Sequence, residues 1–371
     1  MEKEFKNIQG KKVLILYTSI GLGHKSIAEN IGYWLTKAGA EVRLEDVLKV
    51  QQGKLVSFAT ALHRFINKYL PFVWSWLYKS NLVTNLSLPQ RLRVAKNNYK
   101  NTLSVIENFH PDLVITTQTT ASAILAYLKK TGLYKGKFAI TFSDFHLHKF
   151  WLYDEADFYL ANIIEQKQEM ISLGVVEDKI FVCGMTLKPK EVVEVFSIRK
   201  KLQLAEGQRV ILVSSGSLGI GLSDEVIAEL LEIENCKVVV VCGKNTTALE
   251  HLQKTFFNKN FVAYGFYSPM NELYAVADIF VTKPGGLSTA ESLRWNLPML
   301  VTYVLPGQEE LNYDYLQEKG LIMPEPVGVC QTVREEILTG NFRNLLALNK
   351  QVNEILPNPE ILLSQLDSIL I

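Results

Sequence analysis

Cysteine is scarce in this 371-residue chain, acid is unevenly spread, and no long apolar run occurs. The four cysteines, Cys183, Cys236, Cys242 and Cys330, fall in no metal-ligand spacing. Three of them lie in or beside apolar strand-like runs, which predicts buried free thiols in a reducing cytoplasm rather than a disulfide framework. No apolar stretch reaches membrane-spanning length, and Met1 to Lys12 is polar and charged, so neither a spanning helix nor an export signal is predicted. No Asp-x-Asp triplet occurs, which removes the usual carboxylate pair for a divalent ion. The net charge is only +1, which argues against a nucleic-acid partner.

One absence is local. From Val47 to Ile106 there is no Asp or Glu, whereas Lys49, Lys54, Arg64, Lys68, Lys79, Arg91, Arg93, Lys96 and Lys100 supply nine positive charges. Phe58, Phe65, Tyr69, Phe72, Trp74, Trp76 and Tyr78 share the segment. Tryptophan and tyrosine among basic residues, with no acid to repel anionic head groups, make an interfacial membrane-binding composition. Each basic residue close to an anionic leaflet adds about 1 kcal/mol. The segment therefore predicts attachment to an anionic membrane surface, with Arg64, Lys68, Phe72, Trp74, Trp76 and Lys79 as candidates. A helical insertion whose aromatics fill a core is the plainer alternative.

What is present is a repeated α/β alternation. Lys12 to Tyr17 reads as a strand, Thr18 to His24 as a glycine loop, and Ile27, Ala28, Ile31 and Leu35 recur at helical spacing. Strands are predicted at 40–44, 112–116, 137–142, 158–161 and 180–183. A charged, proline-containing connector follows Gly184, and the alternation restarts with a strand at Arg209–Ser214 and the loop Ser215-Gly216-Ser217-Leu218-Gly219. The fold class predicted is α/β, with two Rossmann-like domains. Their limits are placed at 1–186 and 187–357, with helices at 342–356 and 361–370 closing the chain.

Three clusters carry candidate chemistry. The most informative runs Lys283-Pro284-Gly285-Gly286-Leu287-Ser288-Thr289 with Glu291, followed by Pro306-Gly307-Gln308-Glu309 and Asn312. The strand Ile279–Val281 precedes it and a helix from Thr289 to Trp295 is predicted after it. Glycines at a helix N-terminus let a phosphate approach free N–H groups, and the carboxylates and amides can bind hydroxyls. The second cluster is Gly21-Leu22-Gly23-His24, too short for a dinucleotide fingerprint, with interest in the histidine. The third is Ser143-Asp144-Phe145-His146-Leu147-His148-Lys149-Phe150-Trp151, which follows a strand and so emerges at the carboxyl end of a sheet. A metal on His146 and His148 would lack a third ligand nearby.

Together these motifs resemble the family of plant monogalactosyldiacylglycerol synthases, bacterial diacylglycerol glucosyltransferases and the N-acetylglucosaminyltransferase of peptidoglycan synthesis, glycosyltransferase family 28. The resemblance covers nearly the full chain. It implies the GT-B architecture, in which two Rossmann-like domains face an interdomain cleft and the final helix, 358–371, returns to the first domain. It implies transfer of a hexose from UDP-glucose or UDP-galactose to the free hydroxyl of diacylglycerol, with inversion, on the inner face of the cell membrane. Donor contacts would come from Gly216, Ser217, Lys283, Gly285, Gly286, Ser288 and Thr289 near the diphosphate and from Gly265 and Phe266 at the uracil. Glu291 would bind the ribose, and Gln308, Glu309 and Asn312 the sugar. The lipid galactosyltransferases carry Gly-Gly-Gly-His where this chain has Leu22 between Gly21 and Gly23. The glucosyltransferases carry Thr-Asp-Phe-x-x-His-x-x-Trp, matched here at Asp144, His148 and Trp151, with Ser143 for the threonine. His24, Asp144 and His148 are the candidates for proton transfer, and sequence leaves open which is the base. Gly21, Gly23 and Trp151 fall on the acceptor side. No metal or other cofactor is expected. Transfer of N-acetylglucosamine to a polyprenyl-linked or other acceptor, and an inactive nucleotide-sugar-binding membrane protein, are the alternatives.

Overall fold

The computed structural model describes residues 4–19, 22–47, 81–324, 326 and 328–371. The membrane candidates Arg64, Lys68, Phe72, Trp74, Trp76 and Lys79, and the loop residue Gly21, lie outside the described residues. The chain forms two compact units, the first comprising 1–188, 306–308 and 354–371, the second 189–305 and 309–353. Chain return to the first unit thus begins at Glu354, within the short helix Gln351–Ile355.

The first unit holds a six-stranded, all-parallel sheet in the order β2-β1-β3-β4-β5-β6. Its strands are β1 (Lys12–Tyr17), β2 (Glu41–Asp46), β3 (Leu113–Thr116), β4 (Lys137–Thr141), β5 (Phe158–Ala161) and β6 (Ile180–Val182). Continuous apolar runs such as Val13–Leu16 and Leu113–Ile115 are fully buried because helices cover both faces of a parallel sheet. The 29-residue helix Asn81–Phe109 carries the basic residues Arg91, Arg93, Lys96 and Lys100. Its Ala95, Ile106 and Phe109 enter the same core as Leu14, Val114, Ile124 and Phe142. The helix Thr119–Lys130 starts where Gln118 caps it, accepting from the Thr120 N–H at 2.6 Å, and ends on Lys129 and Lys130, which complement its dipole.

The C-terminal helix Glu360–Ile369 belongs to this unit. Asp367 Oδ1 accepts from the N–H groups of Asn7 (2.8 Å) and Ile8 (3.1 Å), and the Met185 N–H donates to the Ile355 carbonyl at 2.7 Å. Gly184 allows that approach. Its φ is +69°, and a Cβ there would sit 2.0 Å from Pro357 Cδ. Gly184→Ala is expected to lower stability by about 1–3 kcal/mol through strain and overpacking, read as a drop in Tm. An unchanged melting curve would contradict this account.

The second unit holds a five-stranded parallel sheet in the order β11-β10-β7-β8-β9. Its strands are β7 (Arg209–Ser214), β8 (Cys236–Val241), β9 (Phe261–Tyr264), β10 (Ile279–Thr282) and β11 (Met299–Val301). Both sheets wind outward from their first strand in two directions, which leaves a switch point between β1 and β3 in one and between β7 and β10 in the other. In open parallel sheets ligands settle at such points, outside the carboxyl ends of the strands.

Two local expectations are corrected. The helix after β10 spans Gly286–Arg294, not Thr289 to Trp295, so Glu291 lies in its second turn. Glycine's low helix propensity concealed that start, which the end of β10 and Gly285 as N-cap (φ −76°, ψ 133°) decide. The stretch 342–356 is two helices, Asn341–Leu348 and Gln351–Ile355, because Asn349 turns out of the helix and accepts from the Gln351 N–H at 3.0 Å.

Candidate active site

At the switch point of the second sheet two glycine loops meet. After β7 the chain turns through Gly216 and Gly219, both at positive φ, and the Asn245 amide (3.1 Å) holds the Gly219 carbonyl. Gly216 is at φ +70°, and a Cβ there would lie 3.2 Å from Lys283 Cε, so the glycine lets that lysine stand close against the loop. After β10, Lys283 to Gly285 lead into the helix. Its first intrahelical bond, from the Thr289 N–H to the Gly285 carbonyl at 2.9 Å, leaves the N–H groups of Gly286, Leu287 and Ser288 without intrahelical partners. These donors and the helix dipole form an anion seat.

Lys283 Nζ pairs with Glu309 Oε1, and Glu309 Oε2 accepts from the Leu305 N–H at 3.0 Å. Glu309 is only 6 % exposed, so it fixes the lysine ammonium beside the glycines. Asn312, fully buried, donates from Nδ2 to the Pro284 carbonyl at 3.0 Å and supports the loop from behind. Thr289 does not face a ligand. It is fully buried, with Oγ1 toward Met299 Sδ, because a helix beginning at Gly286 turns that position inward. Ser217 lies in the first loop, where its carbonyl accepts from the Lys244 N–H at 2.9 Å, and Ser288 is half-buried in the first turn of the helix. Gln308 opens the helix Gln308–Glu318.

Glu291 receives the Tyr274 hydroxyl at 3.2 Å. Burial pushes its carboxyl above the ordinary range, against the Tyr274 hydrogen bond and the Arg294 charge. Gly265 follows β9, and Phe266 is 58 % exposed at the same carboxyl edge, not a core aromatic.

The first unit presents a different chemistry. His24 stands in the first turn of the helix Leu22–Lys37, which follows β1, and its carbonyl accepts from Thr117 Oγ1 at 3.0 Å beyond the end of β3. Gly23 precedes it, half-buried, with open space where a Cβ would stand. The His24 Nδ1 atom is shut off from solvent with no hydrogen-bond partner among the described residues. Burial holds the imidazole below its ordinary value, partly offset by the charge of Asp144 and the backbone of Thr117. Asp144 is itself buried and accepts from Ser143 Oγ at 2.8 Å. Asn162 (3.0 Å) and Gln166 (2.8 Å) grip the Asp144 carbonyl, fixing the turn after β4. Trp151 is 9 % exposed, 6.0 Å from the His24 ring and against Phe142, so it walls this site rather than a membrane surface. His148 is turned aside: its Nδ1 accepts from the Phe150 N–H at 3.1 Å and its ring stacks on Phe150 at 3.9 Å. His24, Asp144 and Trp151 are thus brought together, and His148 caps its own turn.

Comparison with known proteins agrees with this division. Residues 24–187 match the family model of monogalactosyldiacylglycerol synthase, and residues 210–321 match the C-terminal domain of glycosyltransferase family 28. The chain is a glycosyltransferase that carries these two domains. It is 25 % identical over 358 residues to the processive diacylglycerol beta-glucosyltransferase of Bacillus licheniformis, covering 94 % of this chain and 90 % of that one. The fold is shared with the glycosyltransferase SnogD from Streptomyces nogalater (TM-score 0.64, 15 % identity, covering 97 % of this chain and 100 % of that one). It is also shared with a UDP-GlcNAc 2-epimerase from Neisseria meningitidis (TM-score 0.60, 15 % identity, 96 % and 99 % covered). The two Rossmann-like units of this glycosyltransferase are those of the GT-B architecture. Among the described residues, none of its helices is long and apolar enough to cross a membrane.

Sequence reasoning missed Tyr274, Asn162, Gln166 and Thr117. Each is an ordinary core or loop residue by pattern, and only a contact far along the chain gives it a part.

Proposed function

We propose that this glycosyltransferase moves a hexose from UDP-glucose or UDP-galactose to the free hydroxyl of a diacylglycerol, with inversion at the anomeric carbon, forming a membrane glycolipid. The observation that carries this reading is His24, a half-buried imidazole with Nδ1 shut off from solvent, 6.0 Å from the Trp151 ring and under the charge of Asp144, at the switch point of the unit that matches the lipid synthase model. The acceptor oxygen bonds to the anomeric carbon as the bond from that carbon to the diphosphate oxygen breaks, and that electron pair leaves with UDP. The hydroxyl proton passes to His24, and Asp144 stabilises the resulting imidazolium.

On the second unit, Gly216, the N–H groups from Gly286 to Ser288 and Lys283 receive the charge that develops on the diphosphate. The chemistry assigned to these residues needs no metal or other cofactor. Gly265 and Phe266 meet the uracil, Glu291 the ribose hydroxyls, and Gln308 and Glu309 the hexose. The basic aromatic segment between Val47 and Ile106 supports a place on the anionic, cytoplasmic face of the membrane.

The test is transfer from labelled UDP-glucose, UDP-galactose and UDP-N-acetylglucosamine into anionic vesicles containing diacylglycerol, under chelator. Glycolipid from one hexose donor is the expected result. Product from the N-acetyl donor alone would overturn the donor assignment, and no product from any donor would overturn the activity.

The pH dependence follows from the burial of His24. Its conjugate acid is held below the ordinary 6.5, so the base stays neutral as pH falls through that value. The acid limb of kcat/KM is expected below pH 6.5. Asp144→Asn removes a charge that raises the imidazole and should move that limb lower still, with a smaller kcat. An acid limb above 6.5 in the unaltered enzyme would rule His24 out as the base.

A further inference from the structure

A cavity of about 240 Å³ lies in the first unit between the helices Asn81–Phe109 and Thr119–Lys130. Among the described residues its walls are mainly apolar, with Val94, Ala95, Ala123 and Ile124, and its polar groups include Arg91 and Thr119. Ala95, Ala123 and Ile124 are nearly inaccessible to solvent, whereas Val94 is 49 % exposed at the mouth. Water gains little in a space so lined, and an apolar chain gains most of its transfer free energy.

The cavity adjoins the acceptor-activating groups through bonded neighbours. Thr119 and Thr120 follow Thr117, which holds the His24 carbonyl. Arg91 donates from Nη1 to the Phe150 carbonyl and to the Tyr153 hydroxyl at 2.8 Å, and Tyr153 donates to the Thr119 carbonyl at 3.3 Å. Arg91 also lies over the rings of Phe150 and Tyr153, so one wall of the cavity is pinned to the segment that carries Trp151. The Arg91 Nε–H group is buried with no partner among the described residues.

We infer that this cavity is the acyl-chain site of the lipid acceptor, receiving the first part of one fatty chain against its apolar wall. The inference rests on diacylglycerol being the acceptor. The chemistry fits a glycerol ester: an apolar chain for the apolar wall, and a free hydroxyl two carbons or fewer from the ester to be presented to His24. A nucleotide or a peptide would leave the apolar walls unmatched.

Two variants test it. Ala123→Leu fills the cavity from within, where the empty space accommodates the added atoms. Val94→Glu places a charge at its exposed mouth, where folding is not at stake. Each is expected to lower kcat/KM for long-chain diacylglycerol at least about tenfold, with the KM for UDP-sugar unchanged and a dihexanoyl acceptor affected less than about twofold. A diacylglycerol carrying a diazirine on its acyl chain should label residues 90–98 and 119–124 in the unaltered protein, and Ala123→Leu should abolish that labelling. Full transfer to long chains by both variants, or labelling confined to other segments, overturns the site. Absence of transfer to any diacylglycerol by the unaltered enzyme fails the functional reading instead, and the acyl site falls with it.

Discussion

His24→Asn is expected to lower kcat by about 10²- to 10⁴-fold, the range that a positioned general base contributes, with the affinity for UDP unchanged. The anchoring of His24 is through its carbonyl to Thr117 Oγ1, so a side-chain replacement leaves that bond in place. Asparagine retains polarity and volume near Trp151 but accepts no proton. The remaining rate should lose its acid limb, since the group that titrates is gone. The measurement is a pH series of single-turnover transfer for both proteins, together with UDP binding by calorimetry. A variant within about threefold of the parent would sink the assignment and leave Asp144 as the base to examine, because His148 is already committed to capping Phe150.

Lys283→Met should lower kcat by about 10²- to 10³-fold, the effect of deleting one preorganised donor to a developing anion. The structural reason is the placement of Lys283 against Gly216, where an added Cβ would sit 3.2 Å from its Cε, with Glu309 holding the ammonium there. The interaction grows as charge builds on the departing diphosphate, so kcat should fall more than the UDP-sugar affinity. Removing the lysine alone leaves Glu309 buried without its cation, which by itself destabilises the fold. The double variant Lys283→Met with Glu309→Gln removes both charges. It should recover thermal stability while transfer stays low. Recovery of transfer along with stability would show that Lys283 acts only through folding.

The strands were legible because their signal is local. Arg209–Ser214 and Phe158–Ala161 begin and end where their apolar runs do, since a parallel strand covered on both faces needs an uninterrupted run. The restart of strand, glycine loop and helix after the connector likewise announced two units, and the Lys283–Asn312 and Ser143–Trp151 strings announced the family. Helix ends were less legible: Gly286 begins a helix against its propensity, and Asn349 ends one through side-chain bonds that include the Lys319 carbonyl at 2.9 Å.

Side-chain roles within the motifs depended on direction, which spacing does not record. Thr289 sits in the loop string yet points into the core, and His148 caps a turn while Trp151 faces His24. The pairing of Lys283 with Glu309, the lowered imidazole of His24 and the cavity beside Arg91 join residues 26 to 120 positions apart or lie between separate helices. Sequence alone determined the two parallel α/β units, their glycine loops and the family, because periodicity and contiguous motifs are written along the chain. Only the tertiary structure decided which histidine stands beside Trp151 under the charge of a carboxylate, which lysine faces the glycines and where an apolar cavity opens, because burial and electrostatics are set by neighbours that folding brings from elsewhere.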